Sequence, residues 1–270
     1  MQDIREELFR KIRTKRFRAV VTPERSGVLS GVSDAARAAE ECGCEWISQA
    51  EEGDILAGGV SFAEITGTPI QLAMAEEKVI GTMAKMSGIA TAARHAVTEA
   101  SGRIEIVSGA WKKMPPAVKE QVRRAVRTGG ARFRICDPPM LYIDKNFVAM
   151  FGSVGAALEA ASGMKDRTIC VQIKGHLASA AEETLQAVKG GAGVIMVDTG
   201  DLRDLRDCLD VLNKLDVRRD VRLAFAGNLK IADIQEMCTY DIDLLDIGRE
   251  IIDAEILDMR IDVRGTVEDA

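Results

Sequence analysis

Glycine residues follow two late apolar segments of the sequence, in a pattern that suits the binding of a phosphate group. Ala226-Gly227-Asn228 comes after the first of these segments, and Gly248 comes after the second. Glycine lets backbone N–H groups approach an anion closely, and α/β barrels often hold a phosphate between their last two loops. The alternative is that each glycine only ends a tight turn between a strand and a helix. The pattern leaves both interpretations open.

Charged side chains occupy comparable positions after other apolar segments. Asp198 follows Val194–Val197 and could coordinate Mg²⁺ beside a diphosphate, because this ion prefers carboxylate and phosphate oxygens. The alternative is an aspartate that caps a helix or a turn. Lys112 and Arg134 could neutralise a phosphate or a carboxylate, or they could belong to a solvated basic surface, since Lys and Arg are frequent nearby. These residues indicate a site for a phosphorylated ligand and do not define a reaction.

Short apolar strands alternate with amphipathic helices from residue 104 onward, and this alternation would position the charged residues. It predicts βαβ units and a parallel sheet. Ile169–Val171, Val194–Val197 and Leu244–Ile247 are almost entirely apolar, which is typical of parallel strands buried on both faces. The strand count of about six, with glycine after several strands, favours a closed barrel over an open sheet. Catalytic groups in such barrels lie just after the strands.

The sequence before residue 104 predicts a different domain, a sheet decorated with helices. Ser33 is expected to cap one helix, and Thr68 precedes a long helix with apolar residues at helical spacing. We predict an N-terminal domain at residues 1–103 and an α/β barrel at residues 104–250. Residues 251–270 alternate apolar and charged side chains in part, which predicts a strand that returns to the first domain.

Composition excludes several classes of protein. The 270 residues are 47% hydrophobic and 29% charged, with a net charge of −6, which argues against a general nucleic-acid or membrane-surface partner. No apolar run approaches the roughly 18 residues that a bilayer span requires. The charged N-terminus and six scattered cysteines predict a cytoplasmic protein with reduced thiols. Cys42-Gly43-Cys44 could bind a metal, but no second Cys or His pair follows at ligand spacing.

Several short motifs occur in a defined order along the chain. They are Ser87-Gly88-Ile89-Ala90-Thr91, Gly109–Lys113, Gly129–Arg134, Asp144–Phe147, Val197-Asp198-Thr199 and Ala226–Leu229. Together they resemble the quinolinate phosphoribosyltransferases, also called nicotinate-nucleotide pyrophosphorylases. This resemblance implies an α/β fold with an N-terminal α/β sandwich domain and a C-terminal incomplete α/β barrel. It also implies a homodimer in which the N-terminal domain of one subunit completes the partner's site.

The same resemblance implies a reaction and a set of site residues. The family joins quinolinate to phosphoribosyl diphosphate with Mg²⁺, releasing diphosphate and CO₂. By this resemblance Lys112 and Arg134 are catalytic, and Asp198 is both catalytic and the metal ligand. The implied 5′-phosphate cradle consists of Ala226, Gly227, Asn228 and Gly248. The implied substrate-binding positions are Trp111, Lys113, Arg132, Phe133, Asp144, Lys145 and Lys174.

Several of these positions depart from the family's pattern. Trp111 replaces an arginine, Phe133 replaces a histidine, and Asp144 and Phe147 replace a lysine and a histidine. The family has a second acidic residue near the metal, and Lys174 replaces it in this chain. Quinolinate carries two carboxylates, and like charges about 4 Å apart repel by about 4 kcal/mol at an effective dielectric of about 20. The departures therefore argue against quinolinate as the substrate.

Three hypotheses follow. The preferred one is a phosphoribosyltransferase that acts on a neutral or mono-anionic heterocycle, with Trp111 and Phe133 packing against a flatter, less anionic ring. The second is an orthodox quinolinate enzyme, in which a one-residue slip of the alignment lets Arg132 and Lys145 supply the missing cations. The third is a non-catalytic relative that binds a phosphorylated ligand, which Lys174 would favour.

Overall fold

The computed structural model describes residues 4–267, which form two compact units. Within the described chain, the first unit comprises residues 4–94, 114–130 and 253–267, and the second comprises residues 95–113 and 131–252. The division between them after residue 94 lies inside a long helix, nine residues before the boundary predicted at 103. The later division, after residue 252, lies two residues beyond the predicted one.

An antiparallel sheet with the strand order β12-β1-β5-β3 forms the first unit, and the strand pair β2-β4 accompanies it. The strands are β1 (Phe17–Pro23), β2 (Gly27–Val28), β3 (Glu45–Ser48), β4 (Ile55–Leu56), β5 (Ala63–Gly67) and β12 (Met259–Thr266). The helices are α1 (Ile4–Leu8), α2 (Val32–Glu41), α3 (Pro69–Ala100), whose last turns belong to the second unit, and α4 (Lys119–Thr128). Because β12 pairs with β1 along its length, the chain returns to this sheet near its end.

Small aliphatic side chains fill the core of the first unit. Alternate residues of β1 and β5, including Val21 and Ile65, are fully buried, and they belong to one cluster with Val79 and Met83 of α3. This packing follows from the two-residue period of strands and from the 4% aromatic content of the sequence. Within residues 4–267, no helix combines the length and apolar character that a bilayer crossing requires.

The Ser-Gly-Ile-Ala-Thr motif has a packing role in the first unit. Ser87 is fully buried in α3, and Thr91 Oγ1 accepts a hydrogen bond from Val28 N at 2.9 Å. A Cβ atom on Gly88 would lie 2.1 Å from the carbonyl oxygen of Glu255. These contacts explain the residue types in the motif without reference to a ligand.

Gly88→Ala is expected to lower the free energy of unfolding by about 2 kcal/mol, because the new methyl group must displace a backbone carbonyl. Gly81→Ala is the matched control on the same helix, since a Cβ there meets no atom within 4 Å. Alanine at position 81 should stabilise the helix by up to about 1 kcal/mol. Urea unfolding followed by circular dichroism measures both, and equal midpoints for the two variants would contradict the assigned contact.

A parallel sheet with the strand order β6-β11-β10-β9-β8-β7 forms the second unit. The strands are β6 (Glu105–Val107), β7 (Met140–Ile143), β8 (Thr168–Ile173), β9 (Val194–Asp198), β10 (Arg222–Ala226) and β11 (Leu244–Asp246). The helices are α5 (Lys145–Phe151), α6 (Val154–Ala161), α7 (Ala180–Lys189), α8 (Leu202–Lys214), α9 (Ile234–Met237) and α10 (Arg249–Ile252). Since β6 and β7 lie at opposite ends of this order, the closed barrel favoured by the strand count is wrong, and the incomplete barrel implied by the resemblance is confirmed.

One face of this sheet buries a compact apolar cluster that includes Val107, Cys170 and Met196. Strand periodicity then places Met196 and Asp198 on the same face of β9, with Asp198 at the carboxyl end. All six strands run in the same direction, so the residues that follow them gather at one edge of the sheet.

Candidate active site

A cavity of about 260 Å³ lies at the carboxyl ends of the strands in the second unit. Most of its lining is apolar, and three aromatic side chains contribute to it: Trp111, Phe133 and Tyr142. Its charged lining residues, within the described chain, are Lys112, Arg134 and Asp246. The structure therefore brings four of the predicted site residues together, Trp111, Lys112, Phe133 and Arg134.

Trp111 and Phe133 form one wall of this cavity. The indole Nε1 of Trp111 donates a hydrogen bond to the carbonyl oxygen of Phe133 at 2.6 Å, and the two rings meet edge to face with centroids 6.3 Å apart. The guanidinium carbon of Arg134 lies 5.2 Å from the centroid of the Phe133 ring. The hydrogen bond fixes the orientation of the indole, so the wall is formed before any ligand binds.

Lys112 reaches the cavity from a short 3₁₀ turn, Ala110–Lys113, that follows β6. Its Nζ atom lies 4.7 Å from the centroid of the Tyr142 ring, a cation–π contact. Tyr142 O–H donates to Met196 Sδ at 3.1 Å, and burial raises the pKa of this phenol, which therefore stays protonated. Lys113, also a predicted substrate contact, is exposed at the end of the same turn.

Asp246, the last residue of β11, is a lining residue that sequence reasoning missed. Its Oδ1 accepts a hydrogen bond from Gly109 N at 3.2 Å. The pKa of Asp246 is raised to about 6, chiefly by burial; the Gly109 hydrogen bond and Lys112 oppose this rise, and the charge of Asp198 contributes to it. An acid within the otherwise apolar run Leu244–Ile247 was the available signal, because burial of a carboxylate without a partner is unfavourable.

A second group of polar residues joins the ends of β8 and β9. Lys174 Nζ lies 3.2 Å from Asp198 Oδ2 and also donates to the Asp198 carbonyl oxygen. Gln172 Nε2 donates to the same Oδ2 atom, and Gln172 Oε1 accepts from Lys145 N at 2.8 Å. Three predicted residues, Lys145, Lys174 and Asp198, are therefore linked through Gln172, which the prediction did not include.

The donors around Asp198 do not fit a resident Mg²⁺. This ion requires near-octahedral oxygen ligands, usually carboxylates and water. Asp198 Oδ2 is already occupied by the Lys174 ammonium and the Gln172 amide, both of which present positive hydrogens. In the part of the chain that the structure describes, no group of three or more His, Cys, Asp or Glu side chains could hold a metal ion. The assignment of Mg²⁺ to Asp198 stays a prediction, without support from these contacts.

Asp144 and Arg132, which were predicted to bind substrate, contact other protein groups instead. Asp144 caps α5 and accepts hydrogen bonds from Asn146 N at 2.8 Å and Phe147 N at 3.0 Å. Arg132 forms ion pairs with Glu105 at 3.2 Å and Asp137 at 2.9 Å. Because its guanidinium is committed to these acids, Arg132 is not available to replace the arginine that Trp111 removes.

The packing around the glycine after β10 differs from the packing around the glycine after β11. Gly200 N donates to the carbonyl oxygen of Ala226 at 3.0 Å, and a Cβ on Gly227 would lie 2.2 Å from Gly200 N. Gly227 has a φ of 131° and Asn228 a φ of 59°, so this turn is left-handed as well as crowded. A Cβ on Gly248 would meet Ala110 Cβ at 3.2 Å. Packing explains the glycine at 227 and constrains the glycine at 248 much less.

An incomplete parallel α/β barrel with an aromatic-lined cavity that contains two cations at its strand ends is typical of an enzyme. Two family descriptions match the chain, "Quinolinate phosphoribosyl transferase, N-terminal domain" at residues 3–87 and "Quinolinate phosphoribosyl transferase, C-terminal domain" at residues 89–262. The chain therefore belongs to the quinolinate phosphoribosyl transferase family. The family, the two-domain fold and the class of enzyme predicted from the sequence are confirmed.

Related proteins from distant organisms are similar along most of the chain. A probable nicotinate-nucleotide pyrophosphorylase (carboxylating) from Methanothermobacter thermautotrophicus is 26% identical over 257 residues, which cover 94% of this chain and 90% of that protein. The human nicotinate-nucleotide pyrophosphorylase (carboxylating) is 27% identical over 240 residues, covering 87% and 78%. The crystal structure of the Ehrlichia chaffeensis nicotinate-nucleotide pyrophosphorylase superposes with a TM-score of 0.84 at 17% identity, covering 97% and 92%, and shows the shared fold.

Proposed function

We propose that this protein transfers the phosphoribosyl group of phosphoribosyl diphosphate to a nitrogen heterocycle that is neutral or carries one carboxylate. The observation that carries this proposal is the composition of the cavity, which combines an aromatic wall with the carboxylate of Asp246. Membership of the family supports the transfer itself. The cavity supports the choice of base.

The charges that line the cavity disfavour a dianionic ring. Lys112 and Arg134 are the cationic lining residues in the described chain, and Asp246 opposes them. A ligand carboxylate about 4 Å from an ionised Asp246 would be repelled by about 4 kcal/mol at an effective dielectric of about 20. With Asp246 ionised, the two cations and one acid leave one net positive charge, so one ligand carboxylate neutralises the cavity and a second leaves it negative. Arg132 cannot compensate, since Glu105 and Asp137 hold it.

Asp246 also suits the chemistry of the transfer. The ring nitrogen forms a bond to C1 of the ribose, and the bond from C1 to the diphosphate oxygen breaks, so the diphosphate leaves with the electron pair. When the attacking nitrogen carries a proton, the Asp246 carboxylate is the lining group that can accept it. Lys112 and Arg134 provide positive charge for phosphoribosyl diphosphate and for one carboxylate of the base.

The assembly and location of the protein complete the proposal. We propose a homodimer, as the family resemblance implies, and a cytoplasmic location. All six cysteines are free thiols, which suits a reducing compartment. Mg²⁺ enters this proposal as an ion that the diphosphate substrate can carry in solution.

Lys112→Ala is expected to raise the Kd for phosphoribosyl diphosphate by about tenfold, since it removes one charge-assisted contact. Titration calorimetry in a Mg²⁺ buffer measures this change. Lys165→Ala, an exposed lysine in the loop before β8, is the control and should bind like the wild type.

Analysis of the reaction products then tests which base accepts the phosphoribosyl group. Mass spectrometry should detect a nucleotide from neutral or mono-anionic pyridines and purines, with quinolinate the poorer substrate. Faster turnover of quinolinate would replace this proposal with the orthodox carboxylating reaction. Binding of neither phosphoribosyl diphosphate nor any base would indicate a non-catalytic relative.

A further inference from the structure

Lys174 places an ammonium group between the ends of two neighbouring strands. It follows β8, and its Nζ atom forms an ion pair with Oδ2 of Asp198, the last residue of β9, and donates a hydrogen bond to the carbonyl oxygen of the same residue. Each of the two side chains is 25% exposed, so the pair is accessible from solvent but partly desolvated. Electrostatic contacts in this setting are stronger than on an open surface.

The surroundings hold this ammonium in position. The backbone N–H groups of Lys174 and Gly175 donate to Glu183 Oε2 at 3.0 and 2.9 Å, and Glu183 is only 3% exposed. Gln172 donates to Asp198 from the next alternate position of β8. The loop and the acid are thus both fixed, and the position of the ammonium is fixed with them.

An ammonium group has three N–H donors, and one of those of Lys174 donates to the carbonyl oxygen of Asp198. Within the described residues Asp198 is the acidic partner of this ammonium, and the remaining donor capacity can serve a ligand. Lys174 also lines a second cavity, of about 300 Å³, together with Lys145, Asn146 and His176. Neighbouring segments of the chain line the two cavities, since Tyr142 of β7 lines the first and Lys145, at the start of α5, lines the second. Glu183 also lines this cavity, but its carboxylate accepts the backbone N–H groups of Lys174 and Gly175. The two lysine side chains therefore provide the positive charge that an anion would contact.

We infer that Lys174 is the built-in cation of the diphosphate subsite, so that the diphosphate group binds against Lys174 and Lys145 without a metal ion held by the protein. This inference rests on the proposed phosphoribosyl transfer. It accounts for the poor fit of Mg²⁺ to Asp198, because an ammonium occupies the oxygen that a metal would need. The role of Asp198 is then to position the Lys174 side chain.

Calorimetric titration of the whole protein with phosphoribosyl diphosphate, once in EDTA and once in Mg²⁺, tests this directly. Wild-type Kd values should agree within about threefold between the two buffers. Lys174→Met, which keeps the side-chain length and removes the charge, should raise the Kd in EDTA by about tenfold. Lys174→Glu should bind weakly in EDTA and recover in Mg²⁺, because it creates a pair of carboxylates with Asp198. Lys165→Met is the charge-matched control, and thermal melting verifies that each variant is folded.

The outcomes separate this inference from the proposed function. Wild-type binding that requires Mg²⁺ would overturn the inference and leave phosphoribosyl transfer intact. If phosphoribosyl diphosphate does not bind in either buffer, inorganic diphosphate is titrated in EDTA as a second probe. Binding of diphosphate that Lys174→Met abolishes would support the subsite while the proposed function fails. Absence of diphosphate binding would overturn the inference as well.

Discussion

Asp246→Asn is expected to raise the free energy of unfolding at neutral pH by about 2–3 kcal/mol, because it removes a carboxylate that is ionised in a partly desolvated cavity. The native pKa of Asp246 is about 6, above its ordinary value of 3.8. Between these values the native state binds more protons than the unfolded state. The free energy of unfolding of the wild type therefore falls as the pH rises from about 4 to about 6, and it stays lower above that range.

The size of the effect follows from the difference between the two pKa values, at about 1.4 kcal/mol per pH unit. Urea unfolding at about pH 4.5 and about pH 7.5 measures it, and Asp246→Asn should lose the part of the slope that this group contributes. Asp207→Asn, on the exposed side of α8, is the matched control. The same pH dependence in Asp246→Asn and in the wild type would contradict the assigned burial.

The same variant separates stability from function. If Asp246 accepts a hydrogen bond or a proton from the heterocycle, Asp246→Asn should be more stable and a worse catalyst. A loss of turnover in a more stable protein cannot be attributed to unfolding. Opposite changes of this kind are typical of residues that are held in a strained or desolvated state for function.

The strands of the second unit could be predicted well from the sequence, because buried parallel strands are short apolar runs that glycines and charged residues terminate. The predicted strands Val194–Val197 and Leu244–Ile247 each differ by one residue at one end from the observed strands, Val194–Asp198 and Leu244–Asp246. The edge of the sheet that carries the candidate site followed from the same reasoning, since parallel strands end together. Whether the sheet closes depends on the pairing of β6 with β7, which no local pattern encodes.

Contacts between distant segments account for the predictions that were wrong or incomplete. Ser33 was predicted to cap α2, but the helix begins after Gly31, and the carboxylate of Glu52 accepts hydrogen bonds from Gly31 N at 2.8 Å and Val32 N at 3.3 Å. A local capping pattern cannot reveal a capping group 20 residues away. Asp246 was likewise hidden inside an apolar run, and the fold alone shows that it faces the cavity.

The ion-pair partners of charged residues also could not be predicted from local sequence patterns. Asp198 was predicted as a site residue from its position after a strand, and Arg132 and Lys174 were predicted from the family resemblance. Arg132 forms ion pairs with acids from other segments, whereas Lys174 and Asp198 form an ion pair with each other. The sequence supplies the positions of these charges, but their partners depend on side chains from other strands and loops. The electrostatic character of the site therefore required the structure.

Gly227→Ala is expected to lower the free energy of unfolding by about 3 kcal/mol or more, and Gly248→Ala by less than about 1 kcal/mol. The added methyl at 227 would clash with Gly200 N at 2.2 Å in a backbone with a φ of 131°, so both the packing and the backbone resist it. The methyl at 248 would meet only the Ala110 side chain, at 3.2 Å. Urea unfolding of the two variants measures this difference, and equal losses would contradict the contacts assigned to the β9 and β10 turns.

Gly248→Ala then decides between the two interpretations of the strand-end glycines. If backbone N–H groups at this turn hold the 5′-phosphate, the methyl group should raise the Kd for ribose 5-phosphate by about tenfold in a protein of nearly unchanged stability. Calorimetric titration with ribose 5-phosphate measures the change, with Gly81→Ala as a control far from the barrel in sequence. Unchanged affinity in Gly248→Ala would mean that the glycine only completes the turn into α10. Because folding constrains position 248 weakly, a loss of affinity there would be attributable to the ligand itself.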